Sequence, residues 1–353
     1  MGIGGTHAFE LGFRVGGTGC VAVRIDRRLD RNQPAPPRRR SAKRERIGYL
    51  RRGITHSFSR LNEFSFDKMD RIDSNSSMAE ARVSVLGLGI IGSIWSGHYA
   101  SAGVLAGTWN RTPKPDSPAW CETAELAAEA GSIIQLCLYD PDSVDEVLEQ
   151  IHPVLAPGKI VVQSSTIDPI RAEEFAHRVR STGARYVEAP FTGSKPAAEQ
   201  RQTVFFLGGE ASDLESIEPT LALISRKQFQ FETPTQAATI KLAMNHQISA
   251  ITQSLCEGVT WARIAGLEDS QFFDVLRENV AWSGLAGLKE NKIREMDFSP
   301  QFSIRNMEKD MRLASESAPV PLPSLALVRS QLTEALESGY GDEDFVSLLR
   351  LLS

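Results

Sequence analysis

Lys241 and Asn245 stand four residues apart in a stretch of helical periodicity, so one helix face would carry both side chains, with Ser249 continuing it. An amine drawn partly out of water loses basicity toward neutrality and can hand a proton to a carbonyl oxygen. The neighbouring carboxamide can hold that same oxygen or orient the ammonium. The competing reading is decoration of an exposed helix, which tolerates such a pair freely. A second group, Thr192-Gly193-Ser194, offers two hydroxyls and backbone amides on a short loop after a strand. That donor set suits a small anion, and it also suits an ordinary turn. A third group, Gly87-Leu88-Gly89-Ile90-Ile91-Gly92, has the spacing of a phosphate-cradling glycine loop, which is weak evidence by itself.

The elements around the glycines supply the missing context. Ala81–Leu86 reads as a buried strand, a helical segment runs from the glycines to Gly103, and Val104–Trp109 reads as a second strand. In such a βαβ unit Gly87 permits the tight turn, Gly89 lets the backbone approach a pyrophosphate, and Gly92 lets the helix pack closely on the strand. The hexapeptide Gly87, Leu88, Gly89, Ile90, Ile91 and Gly92 is therefore expected to bind a dinucleotide. The second strand ends in Asn110-Arg111-Thr112, with no acid to accept from ribose hydroxyls. A guanidinium beside a hydroxyl and backbone amides would instead welcome a 2′-phosphate, which favours NADPH/NADP over NADH. The alternative is that Arg111 is a solvated loop charge.

Strands and helices alternate onward to Phe231, as expected of a doubly wound α/β domain. From about Thr235 only helical periods remain, beginning with one long helix over Gln236–Ala265 and ending with a helix over Glu343–Leu352. The reading divides the chain into a basic leader (1–78), a Rossmann-type dinucleotide-binding domain (79–234) and an all-helical domain (235–353), with chemistry in the cleft between the last two. Residues 1–77 hold 16 Lys/Arg and 8 Asp/Glu against a whole-chain net charge of −5. The leader shows no sustained period and is expected to be largely disordered. It reads as upstream sequence without a folded role, with a transit-type peptide or a basic nucleic-acid arm as the competing explanations. No run approaches the length of a membrane span. The four cysteines have neither a CxxC pair nor metal-ligand spacing, so no metal is expected and a reducing compartment, the cytoplasm, fits.

From Ala81 to about Leu351 the chain resembles the β-hydroxyacid dehydrogenases, which include 3-hydroxyisobutyrate dehydrogenase and the glyoxylate/succinic semialdehyde reductases. The resemblance is carried by Gly87–Gly92 with Asn110-Arg111-Thr112, by Ser164-Ser165-Thr166, by Glu188-Ala189-Pro190-Phe191-Thr192-Gly193-Ser194-Lys195, and by Lys241–Asn245 with Lys309-Asp310. It implies that Lys241 is the general acid/base with Asn245 as its substrate-side partner. It also implies that Thr192, Gly193 and Ser194 bind a substrate carboxylate, and that Thr166 and Lys309 contact the cofactor near its nicotinamide. The implied reaction is metal-independent hydride transfer between NADPH and a small carboxylate-bearing aldehyde, ketone or hydroxy acid, in a homodimer or homotetramer. Three departures bear on the substrate, one being Thr192 where serine is common. Glu232–Ala238 lacks the glycines usual before the catalytic helix, and Arg201-Gln202 stands where an acid-glycine turn is usual. His246, Trp261 and Trp282 are further candidates for the pocket wall. The rivals are an imine reductase, which generally lacks a lysine at position 241, and a non-catalytic scaffold carrying a basic nucleic-acid-binding arm.

Overall fold

A computed structural model describes residues Arg82–Leu352, so the leader lies outside the described residues. The first part alternates β1 (Val83–Leu86), α1 (Ile90–Ser101), β2 (Leu105–Trp109), α2 (Ala124–Ala130), β3 (Ile133–Leu136), α3 (Pro141–Ile151), β4 (Ile160–Gln163), α4 (Pro169–Ser181) and β5 (Arg185–Glu188). It continues with β6 (Phe191–Thr192), α5 (Lys195–Glu199), β7 (Thr203–Gly208), α6 (Ala211–Ala222) and β8 (Ser225–Phe231). The helical part comprises α7 (Pro234–Ile264), α8 (Asp269–Glu278), α9 (Gly284–Glu295), α10 (Ile304–Ser317) and α11 (Pro323–Glu337), and it closes on a 3-10 segment, Phe345–Leu352.

The sheet order is β2-β1-β3-β4-β5-β7, and the first five strands are parallel. Every residue of β1, β3 and β4 is buried, as expected of parallel strands covered by helices on both faces. One apolar layer gathers under α2, α3 and α4, and a second under α1 and α6. Several of the helices start where the sequence supplies an acceptor. Asp140 takes the Ser143 N–H ahead of Pro141, and Asp168 takes the Ile170 and Arg171 N–H groups ahead of Pro169. Each pair satisfies donors that the first helical turn leaves unpaired. The glycine-poor run Glu232–Ala238 has the same purpose. The Thr233 hydroxyl accepts from Gln236 N, and the Gln236 side chain accepts from Glu232 N, fixing the start of α7.

Two elements escape sequence periodicity. Strand β6 has two residues, too few to alternate, and it pairs antiparallel with β7. The last stretch is a 3-10 helix over Phe345–Leu352 where the sequence suggests an ordinary helix over Glu343–Leu352. Asp344 is the cause. Its carboxylate accepts from Val346 N, Gln301 N and Phe302 N as well as from the Lys289 ammonium at 2.6 Å, so the chain turns around a buried anion before it can wind. Helix α7 packs on α4 and β7 at one end and on α10, α11 and the 3-10 segment at the other, giving the two parts one shared spine.

The turn between β1 and α1 is steric in origin. Gly87 has φ +102°, and a Cβ there would lie 2.3 Å from the Cys137 carbonyl oxygen. A Cβ on Gly92 would lie 1.9 Å from the Gly87 carbonyl oxygen. The close packing that Gly92 permits is thus of the first helical turn on the loop itself. Gly92→Ala is expected to lower the unfolding free energy by about 2–3 kcal/mol through overpacking against backbone that cannot give way. Denaturant melts of the two proteins check this, and matching midpoints would sink the steric account.

Candidate active site

The carboxyl ends of β1–β5 open onto a large cleft, about 1620 Å³ with its open mouth included, whose far wall comes from the helical part. The glycine turn forms its floor. Gly89, Ile90 and Ile91 line it, and the position of a Gly89 Cβ has no atom within 4 Å, so backbone there faces open space. Leu88 behaves differently: its side chain is fully buried in the core. Its N–H donates to Asn110 Oδ1 at 2.8 Å, and its carbonyl accepts from the Ser93 hydroxyl and the Lys114 ammonium. Asn110 also donates to the Thr112 carbonyl, so both ends of its carboxamide brace the loops. Arg111 and Thr112 line the cleft, and the Arg111 guanidinium is exposed beside Glu146 at 3.9 Å. An open backbone floor, a helix start with unpaired N–H groups and a loosely held guanidinium fit a phosphorylated dinucleotide.

A different set of groups converges at the opposite end. On α7 the Lys241 ammonium donates to Asn245 Oδ1 at 3.1 Å, the expected i, i+4 contact. Asn245 Nδ2 in turn donates to Asp310 Oδ2 on α10 at 2.6 Å. This fixes the carboxamide's orientation chemically, because an ammonium can only donate and a carboxylate accepts. Asp310 Oδ1 lies 2.8 Å from the Lys309 ammonium, which reaches the Thr166 carbonyl at 3.5 Å and sits 5.3 Å from the centre of the Tyr139 ring. Lys241 and Asn245 are 7% and 3% exposed, one layer beneath the wall formed by Phe191 and Asp310. The Lys241 nitrogen is 5.8 Å from the Phe191 ring centre. Burial lowers the Lys241 pKa to about 8; Asp310 opposes that and Lys309 adds to it. An ammonium at that poise exchanges protons near neutrality.

Thr166, Gly193 and Ser194 line the cleft. Thr192 is half-buried in β6, so it sits on a strand and not in a loop as the sequence suggests. Gly193 has φ +131°, and Ser194 precedes α5 without spending its hydroxyl on a capping bond. Three other candidates lie elsewhere. His246 bonds to Ser324, Trp282 packs in the helical core under the Arg277 guanidinium, and Trp261 is exposed on α7. Arg201 has a left-handed φ of +57°, and it donates to His98. Asp310, the joint of the whole group, received no role from sequence reasoning. A buried acid beside a buried lysine on an otherwise amphipathic helix was the available signal. Among the described residues no cluster of three His, Cys, Asp or Glu could hold a metal ion, and no helix is long and apolar enough to cross a membrane.

Two family models divide the described chain. Residues 82–232 match the NAD binding domain of 6-phosphogluconate dehydrogenase, and residues 235–352 match the NAD-binding domain of NADP-dependent 3-hydroxyisobutyrate dehydrogenase. The chain is 26% identical to the chloroplastic glyoxylate/succinic semialdehyde reductase 2 of Arabidopsis thaliana over 76% of this chain and 79% of that one. It is 27% identical to the cytokine-like nuclear factor N-PAC of Danio rerio, covering 79% of this chain but only 63% of that one. A solved 3-hydroxyisobutyrate dehydrogenase of Mycobacterium tuberculosis shares the fold, with a TM-score of 0.72 at 21% identity over 77% of this chain and 99% of that one. A glycine-floored parallel sheet, a helical partner domain and both matching models together establish that the chain belongs to the β-hydroxyacid dehydrogenase family of NAD(P)-binding oxidoreductases.

Proposed function

We propose that the protein reduces a small carboxylate-bearing aldehyde or ketone with NADPH, reversibly, with Lys241 as the proton donor. The reading rests chiefly on one observation, a buried lysine poised near pH 8 and held by Asn245 against Asp310 beside the cleft. A bound reduced nicotinamide supplies the hydride. Lys241 delivers the proton to the carbonyl oxygen, and its charge stabilises the negative charge that develops there. Asn245 holds the ammonium in one place. Thr192, Gly193 and Ser194 bind the substrate carboxylate through hydroxyls and backbone amides, while Thr166 and Lys309 flank the nicotinamide end. Arg111 takes the 2′-phosphate. The similarity to a glyoxylate/succinic semialdehyde reductase favours substrates of that size. The N-PAC relative bears the name of a nuclear factor, which keeps a non-catalytic scaffold as the second reading. A scaffold has no use for a buried lysine of lowered proton affinity, whose desolvation costs stability. Cys121, Cys137 and Cys256 are all free thiols, in keeping with a reducing compartment such as the cytoplasm. Trp261 and Ile264, both largely exposed, lie one turn apart at the end of α7, a short apolar stripe suited to a second copy of the chain.

Screening glyoxylate, succinic semialdehyde, tartronate semialdehyde and 3-hydroxyisobutyrate with each cofactor tests the activity; turnover of none of them would favour the scaffold. Lys241→Ala is expected to lower turnover by about 10²–10⁴-fold while leaving NADPH binding nearly intact. In the intact enzyme reduction should weaken as pH rises through about 8, because the ammonium is the acid, and oxidation should strengthen over the same range. Turnover by the alanine variant comparable to wild type would remove Lys241 from the mechanism.

Arg111→Asp is expected to shift the NADPH/NADH preference toward NADH by about 10–100-fold, the worth of one charge-assisted hydrogen bond. An unchanged ratio of kcat/KM values for the two cofactors would refute the phosphate assignment. Trp261→Glu places a charge in the stripe on α7 and should convert a dimer to monomer in light scattering. A wild-type chain already monomeric at micromolar concentration would end that part of the proposal.

A further inference from the structure

Gln163 and Glu188 end adjacent parallel strands, β4 and β5, as direct register partners, and both are fully buried. The Gln163 carboxamide turns back on its own chain. Its Oε1 accepts from Ser165 N at 2.6 Å and its Nε2 donates to Ser165 O at 3.0 Å. Those are the two bonds a neighbouring strand would make, so a side chain replaces the ladder at the point where β4 leaves the sheet. The second Nε2 hydrogen goes to Glu188 Oε1 at 3.0 Å, and Glu188 Oε2 accepts from the Tyr186 hydroxyl at 2.6 Å. Ser165 then passes the constraint across the sheet, because its hydroxyl accepts from Leu138 N at 2.8 Å. Ser164, Ser165, Thr166 and Leu138 all line the cleft. Among the described residues no cation pairs with Glu188, so its retention in a dry site needs a reason other than an ion pair.

We infer that Glu188 is a positioning residue: through Gln163 it holds the Ser164–Thr166 wall, against which the reacting end of the bound dinucleotide lies. Glu188 can accept in two directions at once. An apolar group there would leave one Gln163 N–H and the Tyr186 hydroxyl unpaired and free the carboxamide to rotate away from Ser165. Burial raises the Glu188 pKa to about 8, which reflects the same lack of a counter-charge. Placing the wall at Thr166 against the reacting end rests on the proposed function; the mechanical link from Glu188 to Ser165 does not.

Glu188→Leu separates the two. Hydrogen exchange needs no substrate, and the amides of Ser165 and Leu138 should exchange at least about tenfold faster in Glu188→Leu while those of β1 stay unchanged. Turnover of the best substrate should fall about tenfold or more with the dinucleotide Kd altered less than about threefold, since a displaced wall disturbs alignment before binding. Glu188→Gln still accepts from Gln163 and should restore both readouts to within about threefold. Gln163→Met should match Glu188→Leu, and it serves if the leucine variant fails to fold. Combining the two should add nothing, because both break one chain of contacts. Unchanged exchange at Ser165 and Leu138, or a glutamine variant as impaired as the leucine one, would overturn the positioning role. Faster exchange with unchanged turnover would detach the wall from the chemistry and send the fault to the proposed placement of the reacting end.

Discussion

The buried carboxylate of Asp310 is the interaction on which the site depends. It lies between two ammonium groups, Lys309 directly and Lys241 through Asn245, and it is 1% exposed. One anion cannot balance two buried cations. Burial lowers the proton affinity of Lys241, Asp310 opposes that shift, and Lys309 adds to it. The poise of Lys241 near pH 8 therefore comes from its desolvation, which Asp310 only partly offsets. The surplus cation draws an anion toward the cleft, and an arriving carboxylate would supply the missing charge and raise the proton affinity of Lys241.

The two walls of the cleft solve burial in opposite ways. The helical wall uses ions: Lys241, Lys309 and Asp310, with Lys289 on Asp344 behind the Gln301–Phe302 stretch. The sheet wall uses mostly neutral amides and hydroxyls. Tyr99 donates to Gln135, Gln135 to Ser164, and Gln163 to Ser165 and Glu188. Fixed dipoles suit the side that must keep a flat surface, because each carboxamide locks one loop geometry. Ions suit the side where charge must respond, because their proton affinities depend on neighbours. Lys309 connects the walls, touching Thr166 and Tyr139 from across the cleft. Cleft width and the charge state of the cluster are therefore coupled through a single side chain.

Sequence reading found the βαβ unit, the change to helices near Thr235 and the Lys241–Asn245 pair because each depends on short-range regularities: a glycine spacing, a change of period, an i, i+4 repeat. Its misses depend on long-range contacts. Nothing local tells that the Asn110 side chain is spent on Leu88 N and Thr112 O, or that the Leu88 side chain points into the core. Asp310 is 65 residues from Asn245, and the partnership exists only once α7 and α10 pack together. His246 and Trp282 look like pocket residues by type, but helical phase carries His246 to Ser324, and the connection between α8 and α9 folds Trp282 onto the helical core. Arg201 shows the reverse case. The replacement of an acid-glycine turn by Arg201-Gln202 was visible in the sequence, and the left-handed φ of +57° falls on Arg201, the position of the acid.

The cofactor end and the reacting end of the cleft obey different electrostatics. Arg111 is exposed and only 3.9 Å from an equally exposed Glu146, a pair whose net worth in water is near zero. Exchanging that partner for a phosphate costs little, so the guanidinium is free to recognise one, and its contribution must weaken as salt rises. The Lys241 cluster lies under a wall and is shielded from such screening. Under the proposed function, added salt would therefore loosen cofactor discrimination by Arg111 before it reached proton transfer at Lys241. The fold keeps an exposed, loosely paired guanidinium at one end of the sheet and a buried, charge-coupled cluster at the other, with α7 as the element that carries Lys241 and Asn245 to the second.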